Sequence, residues 1–177
     1  CLRPRGMKSN ARLERGPEGA VVVIEPRSRA VLALVGGYAA LSGFNRATQA
    51  IRQPGSTFKP IVYARAIQSR RFTAASMVVD APAVYDEWKP RNYEQWNYQG
   101  AVRLREALAR SINMVAIRVV EDIGVHDVAE FARQDGITTK LEEDMALALG
   151  ASGVRPVELA NAYATFAAGG RWAPTRI

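Results

Sequence analysis

The stretch Arg52-Gln53-Pro54-Gly55-Ser56-Thr57-Phe58-Lys59-Pro60 predicts a tight turn that runs directly into a helix. Pro54-Gly55 is a turn dipeptide, and Ser56 is a favourable N-cap residue for the helix that follows. The apolar positions after this stretch extend the predicted helix to about Gln68. Residues three apart in a first helical turn are neighbours, so we expect the Ser56 hydroxyl and the Lys59 amine to lie close together.

A hydroxyl beside an amine is the pairing needed for a nucleophile and its base. Serine is a weak nucleophile until a base takes its proton. Lysine accepts a proton only when neutral, so burial or nearby cations must lower its reference pKa of roughly 10.4. A helix N-terminus opposes the ammonium charge and offers N–H groups to a developing oxyanion. The string Ser56-x-x-Lys59 is equally compatible with a capping serine followed by a solvated lysine, and by itself it leaves both interpretations open.

The composition is that of an ordinary globular domain. The chain has 177 residues, of which 48% are hydrophobic and 23% charged, and no apolar run approaches the roughly 20 residues that span a bilayer. A net charge of +7 suits acidic partners such as nucleic acid, anionic lipid or cell-wall polymers. Because no RNA-binding or recognition-helix signature is present, we do not expect nucleic acid as a partner. The start at Cys1 rather than Met suggests a piece of a longer protein.

The cysteine and histidine counts narrow the possible chemistry. One cysteine excludes an internal disulfide and a multi-cysteine metal site, and one histidine, His126, argues against a zinc centre or a Ser-His-Asp triad. We therefore expect no metal and no cofactor. If Ser56 is activated, Lys59 is the base at hand.

The chain before the Ser56 stretch predicts one hairpin. Residues 1–18 are polar and rich in Arg, Pro and Gly, and they are interpreted as a linker or irregular lead-in to a domain covering 19–177. Residues 20–24 and 30–35 predict two antiparallel strands, and their near-continuous apolar character predicts cover on both faces. No other convincing strand is expected, and a loop carrying Tyr38 follows the hairpin.

The chain after this stretch predicts a long irregular segment and then helices. Residues 69–97 carry Pro and many aromatic side chains, Trp96 among them, which favours an ordered cover, the wall of a cleft or simple packing of a loop. Helices are predicted at 104–110, 114–123, 127–134 and 156–168. In the joint Ser111-Ile112-Asn113, both polar side chains can point to one side of a turn, where they can pass a proton and hold an amide. They can equally be capping residues of the next helix.

As an ordered set, these pieces resemble the transpeptidase domain of penicillin-binding proteins, most closely the class A, bifunctional kind. The superfamily signature joins Ser-x-x-Lys, Ser-x-Asn and Lys-Thr-Gly motifs. Its first two members correspond here to Ser56-Thr57-Phe58-Lys59 and Ser111-Ile112-Asn113. Longer flanking stretches are also similar to the family: Phe44-Asn45-Arg46-Ala47-Thr48-Gln49, Trp88-Lys89-Pro90-Arg91-Asn92-Tyr93, Gly100 to Leu108, Ala148-Leu149-Gly150 and Pro156 to Ala167.

The resemblance implies an α/β fold of the α+β type, like that of penicillin-binding proteins and serine β-lactamases, with an N-terminal antiparallel hairpin and a helical subdomain. It implies a peptidoglycan DD-transpeptidase that crosslinks stem peptides with release of D-Ala and is acylated by β-lactam antibiotics. Ser56 would be the nucleophile, Lys59 the general base for acylation, Ser111 the proton relay and Asn113 a contact to the substrate amide. The implied location is the extracytoplasmic, periplasmic face of the inner membrane, reached through an anchor outside this chain.

The sequence departs from the family after its second motif. No Lys-Thr-Gly or Lys-Ser-Gly follows residue 113, so we expect a chain cut before the third motif, with the C-terminal strands of the fold missing and weak acylation of the isolated piece. Two alternatives to the transpeptidase keep the same fold. One is a non-catalytic module that binds peptidoglycan or β-lactams, and the other is a β-lactamase or β-lactam sensor.

Overall fold

A computed structural model describes residues 2–3, 12–13, 18–37, 43–85, 88–93 and 97–176. Within the predicted linker, β1 (Leu2–Arg3) and β2 (Arg12–Leu13) pair in antiparallel fashion. Tyr38 and Trp96, both noted in the sequence, lie outside the described residues. The division between a lead-in and a domain at residues 18 and 19 remains a prediction.

The predicted hairpin is present as β3 (Val21–Ile24) and β4 (Val31–Val35), which pair in antiparallel fashion with an irregularity between Val23 and Ile24. Its predicted cover on both faces is wrong for the part of the chain that the structure describes. The outward side chains Val21, Leu32 and Val35 are all more than half exposed, at 55%, 66% and 52%. The near-continuous apolar run therefore has one packed face and one open face.

The turn of this hairpin is fixed by a buried arginine. Arg29 has a left-handed backbone (φ 63°) and is only 1% exposed. Its guanidinium donates to both the main-chain and the side-chain oxygen of Asn161, at 3.1 and 3.0 Å, and to the Arg171 carbonyl. The turn is thereby joined to the last helix of the chain.

The Ser56 stretch begins with a 3-10 turn, Gly55–Phe58, which leads into α1 (Lys59–Gln68). The predicted end of the helix at Gln68 is confirmed, but the assignment of Ser56 as its N-cap is wrong. Pro54 occupies the cap position of the 3-10 turn, and the Thr57 hydroxyl, rather than that of Ser56, donates back to the Pro54 carbonyl at 2.6 Å. Ser56 lies inside the turn, and its hydroxyl takes no part in this hydrogen bond.

A second hairpin, missed in the sequence, follows α1. β5 (Met77–Asp80) and β6 (Gly100–Arg103) pair in antiparallel fashion from Met77 opposite Arg103 to Asp80 opposite Gly100. The expectations that residues 69–97 are irregular and that no further strand occurs are therefore wrong. β6 has no strongly β-forming run; its pairing is stabilised by packing, since Val102 is only 5% exposed.

The helices follow the predicted order. The structure places α2 at Leu104–Ala109, α3 at Asn113–Ile123, α4 at Val125–Gln134, a 3-10 turn at Met145–Leu149 and α5 at Pro156–Ala167. Each predicted helix is confirmed with its ends displaced by at most two residues, which is the usual uncertainty of helix boundaries.

The core is built around α3, which is apolar on nearly all sides. Its fully buried side chains are Met114, Val115, Ala116, Ile117, Val119 and Val120. A helix that is hydrophobic all round belongs in a protein interior. α3 packs against α1, α4, β5 and the 3-10 turn Met145–Leu149. The joint in front of α3 is thus held beside the start of α1, which brings the two polar motifs together.

Candidate active site

The turn that carries Ser56 is held by hydrogen bonds from two sides. Gly55 has a left-handed backbone (φ 57°) and donates its N–H to the Gly150 carbonyl at 3.2 Å. A Cβ on Gly150 would lie 2.2 Å from the Gly55 oxygen, so the two backbones approach as closely as only glycine allows. From α5, the Tyr163 hydroxyl donates to the Thr57 carbonyl at 2.8 Å. The turn is therefore held through its own main-chain groups on both sides of the serine.

Lys59, the first residue of α1, is completely buried and faces three oxygen atoms. Its Nζ lies 2.6 Å from the Ser111 carbonyl, 3.1 Å from Ser111 Oγ and 2.6 Å from Asn113 Oδ1. No salt bridge joins it to an acidic side chain of the described residues. Burial lowers the pKa of Lys59 to about 8, because the charged form loses its hydration without gaining a counter-charge.

Ser111 lies in the joint between α2 and α3 and has a left-handed backbone (φ 55°), which is uncommon for a residue other than glycine. The N–H groups of Ser111 and Ile112 donate to the Leu108 and Ala107 carbonyls, at 3.0 and 2.9 Å, and so close the end of α2. This conformation turns the Ser111 carbonyl and hydroxyl toward the same amine. The prediction that the two polar side chains of the joint point to one side is confirmed.

Asn113 is the first residue of α3, and its side-chain amide connects two segments. Its Oδ1 accepts from Lys59, while its Nδ2 donates to the Arg91 carbonyl at 2.8 Å. The alternative interpretation of Asn113 as a simple helix cap does not hold. The cap position of α3 is Ile112, which has no capping side chain.

The expected contact between Ser56 and Lys59 is not formed. Ser56 is exposed, and its hydroxyl makes no hydrogen bond to any other residue that the structure describes. The Lys59 amine is instead occupied by the oxygens of Ser111 and Asn113. The structure thus brings together three of the four predicted site residues, with Ser56 one helical turn away on the solvent side.

Two residues that sequence reasoning did not assign to the site support it. Asp80, at the end of β5, is 1% exposed and accepts from Asn92 Nδ2 at 2.8 Å and from the Gln99 N–H at 3.0 Å. Asn92 and Asp80 line a cavity of about 190 Å³ that reaches Ser111. The sequence signal that could have indicated this pair is Asp80 itself, an acidic residue directly after the apolar run Met77-Val78-Val79. An acidic side chain that is buried needs hydrogen-bond partners.

The described residues contain no group of three or more His, Cys, Asp or Glu side chains arranged to hold a metal ion. The same part of the chain has no helix with the length and apolarity needed to cross a membrane. The arrangement offers a buried amine with a lowered pKa, an adjacent hydroxyl and a second, exposed hydroxyl in the 3-10 turn that leads into α1. These are groups suited to proton transfer and acyl chemistry.

Comparison with known proteins identifies the family of this chain. The family model described as "Penicillin binding protein transpeptidase domain" matches residues 19–177. Penicillin-binding protein 1A of Pseudomonas aeruginosa is 42% identical over 161 residues, which are 86% of this chain and 19% of that protein. The protein of the same name from Neisseria lactamica is 43% identical over 162 residues, 86% of this chain and 20% of the relative. The chain therefore spans about a fifth of the length of these relatives.

Solved structures agree with the sequence relatives. The crystal structure of penicillin-binding protein 1A from Haemophilus influenzae superposes with a TM-score of 0.80 at 35% identity, covering 93% of this chain and 26% of that one. The penicillin-binding protein PonA1 from Mycobacterium tuberculosis, solved in complex with penicillin V, gives a TM-score of 0.79 at 31% identity over 88% of this chain and 45% of its own. The described hairpins and helices thus follow the expected fold.

Proposed function

This chain belongs to the penicillin-binding protein transpeptidase family, and from that premise we propose that it carries the acyl-transfer site of a peptidoglycan DD-transpeptidase. In the proposed reaction, Ser56 attacks the carbonyl of the penultimate D-alanine of a stem peptide. D-Ala leaves, and an amine of a neighbouring stem resolves the acyl-enzyme to form the crosslink. The donor and acceptor peptides lie on the extracytoplasmic side of the inner membrane, which is the location that we propose for this domain.

The observation that carries the proposal is the environment of Lys59. A fully buried lysine without an acidic partner is costly unless its neutral form is used. Its pKa of about 8 keeps an appreciable neutral fraction near physiological pH. A general base works best when its pKa lies near the working pH. The environment therefore favours a lysine that accepts a proton over one that only carries charge.

The three contacts of Lys59 support a relay through Ser111. An ammonium has three N–H groups for the three oxygens around it, whereas a neutral amine has two N–H groups and one lone pair. In the neutral form, the two carbonyl oxygens at 2.6 Å keep the N–H groups, and the Ser111 hydroxyl at 3.1 Å can donate to the lone pair. Ser111 is then placed to pass a proton between the lysine and the leaving nitrogen.

Ser56 and Asn113 complete the proposed roles. Ser56 is exposed in the 3-10 turn that leads into α1, and its own main-chain N–H is the proposed donor for the developing oxyanion. When substrate fills the cleft, a shift of the lysine amine toward Ser56 would let the hydroxyl proton transfer. Catalytic hydrogen bonds are often absent without substrate and form only in the complex. Asn113 is proposed to contact the substrate amide, as its place beside Lys59 supports.

β-Lactams would acylate the same serine, and this provides the test. The full-length protein is incubated with a fluorescent penicillin, and the labelled residue is mapped by mass spectrometry. We expect a long-lived label on Ser56, no label on Ser56→Ala and labelling slowed by about 10²–10⁴-fold in Lys59→Ala. A protein that takes no label would be the non-catalytic module, and a label that turns over within seconds would indicate a β-lactamase. Equal labelling of Lys59→Ala and wild type would remove Lys59 from the base role.

A further inference from the structure

The start of α3 is capped by a residue that precedes it by more than twenty positions. Asn92 Oδ1 accepts from the main-chain N–H groups of Asn113 and Met114, at 3.1 and 3.2 Å. The first N–H groups of a helix have no partner within the helix. Because Ile112 offers no capping side chain, Asn92 supplies from another segment what the local sequence lacks.

Asp80 fixes which way the Asn92 amide points. The Asp80 carboxylate only accepts, and the N–H groups of α3 only donate. The Asn92 NH₂ must therefore face Asp80, at 2.8 Å from Oδ1, and its oxygen must face α3. Asp80 is held in turn by the Gln99 N–H at 3.0 Å, and it is 1% exposed. The chain from Asp80 through Asn92 to α3 thus has one consistent hydrogen-bond arrangement.

The same segment also holds the Asn113 side chain. The Arg91 carbonyl accepts from Asn113 Nδ2 at 2.8 Å, which leaves Oδ1 directed at Lys59 Nζ. Residues 91 and 92 therefore fix both the main chain and the side chain of Asn113. The position of one of the three oxygens around the lysine amine depends on this segment.

We propose that Asn92 is a positioning residue for acyl transfer and that buried Asp80 sets its orientation. Together they hold the start of α3 so that the oxygens of Asn113 and Ser111 keep the Lys59 amine in place. The inference rests on the proposed function, because it assigns Asn92 to the same reaction. A residue that only supports folding would change the amount of competent protein. A positioning residue changes the rate at each competent site.

The test exchanges the amide and the carboxylate between the two positions. In Asn92→Asp, two carboxylates face each other at hydrogen-bond distance, so we expect the pair to separate and release Asn113. In the double variant Asn92→Asp with Asp80→Asn, the amide introduced at position 80 donates to the new carboxylate and accepts from the Gln99 N–H. The new carboxylate accepts from α3, where the helix dipole favours it. Gln68→Glu, which adds the same charge at the exposed end of α1, is the matched control.

The measurement is fluorescent-penicillin acylation of the full-length proteins, recorded as both the rate constant and the fraction of protein labelled. We expect Asn92→Asp to lower the rate constant by about 10- to 100-fold while the labelled fraction stays near that of wild type. We expect the exchanged double variant to return to within about threefold of wild type, as coupling between contacting residues predicts. The control should stay within about twofold of wild type.

The inference is overturned if Asn92→Asp labels at the wild-type rate, if only the labelled fraction falls, or if the double variant is no faster than the single one. Failure of the proposed function is a separate result, since wild type itself would then take no label on Ser56. In that case, crystal structures of wild type and both variants decide the matter. The contact between Asn113 Oδ1 and Lys59 Nζ should be lost in Asn92→Asp and restored in the double variant, and an unchanged contact would refute the positioning role.

Discussion

The amine of Lys59 lies 2.6 Å from the side-chain oxygen of Asn113, although the two residues are 54 positions apart in the chain. This contact joins the first residue of α1 to the first residue of α3. Both helices therefore present their N-terminal ends to one small volume. Positive helix ends disfavour an ammonium and favour the neutral amine, in the same direction as burial.

The pH dependence of acylation should report the pKa of Lys59. The proposed base, Lys59, is active when neutral, and its neutral fraction grows as pH rises through the folded-state pKa of about 8. We therefore expect the rate constant for labelling by a fluorescent penicillin to rise between about pH 7 and pH 9 and to level off above that range. The residual rate of Lys59→Ala, measured alongside, should lack this rise. A wild-type rate that falls or stays constant over the same range would contradict the assignment.

Gly150→Ala should displace the turn that carries Ser56. The new Cβ would meet the Gly55 oxygen at 2.2 Å, and the backbone at Gly150 is left-handed (φ 68°). Gly169→Ala is the matched control, because Gly169 has nearly the same φ (67°) but no atom within 4 Å of an added Cβ. We expect Gly150→Ala to be less stable than Gly169→Ala by about 1–3 kcal/mol, the usual cost of overpacking.

Denaturant unfolding measures this difference in stability, and penicillin labelling measures its effect on the site. Gly150→Ala should label more slowly than Gly169→Ala at equal fractions of folded protein. If the two variants have the same unfolding free energy and the same labelling rate, the turn accommodates the added Cβ without cost and the prediction is wrong.

Tyr163→Phe tests the second hydrogen bond that holds the same turn. The change removes one hydrogen bond to the Thr57 carbonyl, so we expect a loss of about 0.5–1.5 kcal/mol in the free energy of unfolding. Because Thr57 follows Ser56 directly, the labelling rate should also fall by about two- to tenfold. Tyr85→Phe is the control, since its hydroxyl donates to Glu121 at 2.9 Å, away from the site. If both variants label at the same rate, the Tyr163 contact supports the fold alone.

Asp135 should make stability depend on pH without taking part in the chemistry. Burial raises the pKa of Asp135 to about 6, and its Oδ2 has no hydrogen-bond partner among the described residues. A carboxyl group with a raised folded-state pKa binds its proton more tightly when folded. Its stabilising contribution is therefore full below the unfolded value near 3.8 and is lost as pH rises through about 6.

Asp135→Asn should accordingly raise the free energy of unfolding at pH 7.5 by about 1–2 kcal/mol and change it little at pH 4. Denaturant unfolding of wild type and variant at the two pH values measures the difference. A stabilisation of equal size at both pH values would point to packing rather than to ionisation.

Features with a local cause in the chain could be predicted from sequence. The β-branched runs gave the first hairpin, and the spacing of apolar residues with Gly124 and Gly136 gave the helices and their ends. Ser111 and Asn113 could be assigned through the family resemblance, and the structure brings both to Lys59. These elements depend on contacts within a few residues or on an ordered set of motifs.

Features that arise from distant contacts were missed or placed wrongly. β6 forms because Val102 packs on the core, and Asn92 caps α3 across the fold; neither is encoded in a local pattern. Ser56 fits the rule for a helix cap, but a 3-10 turn intervenes and Thr57 makes the bond back to the chain. The exposed face of the first hairpin could likewise not be predicted from its apolar composition. Composition indicates what a strand can bury, but not which other elements cover it.

Arg29 has a practical consequence for engineering. The turn before it, where Arg27 and Ser28 are exposed, is the kind of place where an epitope or a fluorescent reporter is normally inserted. The Arg29 guanidinium, however, connects that turn to α5 through hydrogen bonds to the main-chain and side-chain oxygens of Asn161. Because α5 also carries Tyr163, an insertion at this turn would disturb the helix whose tyrosine hydroxyl holds the turn of Ser56.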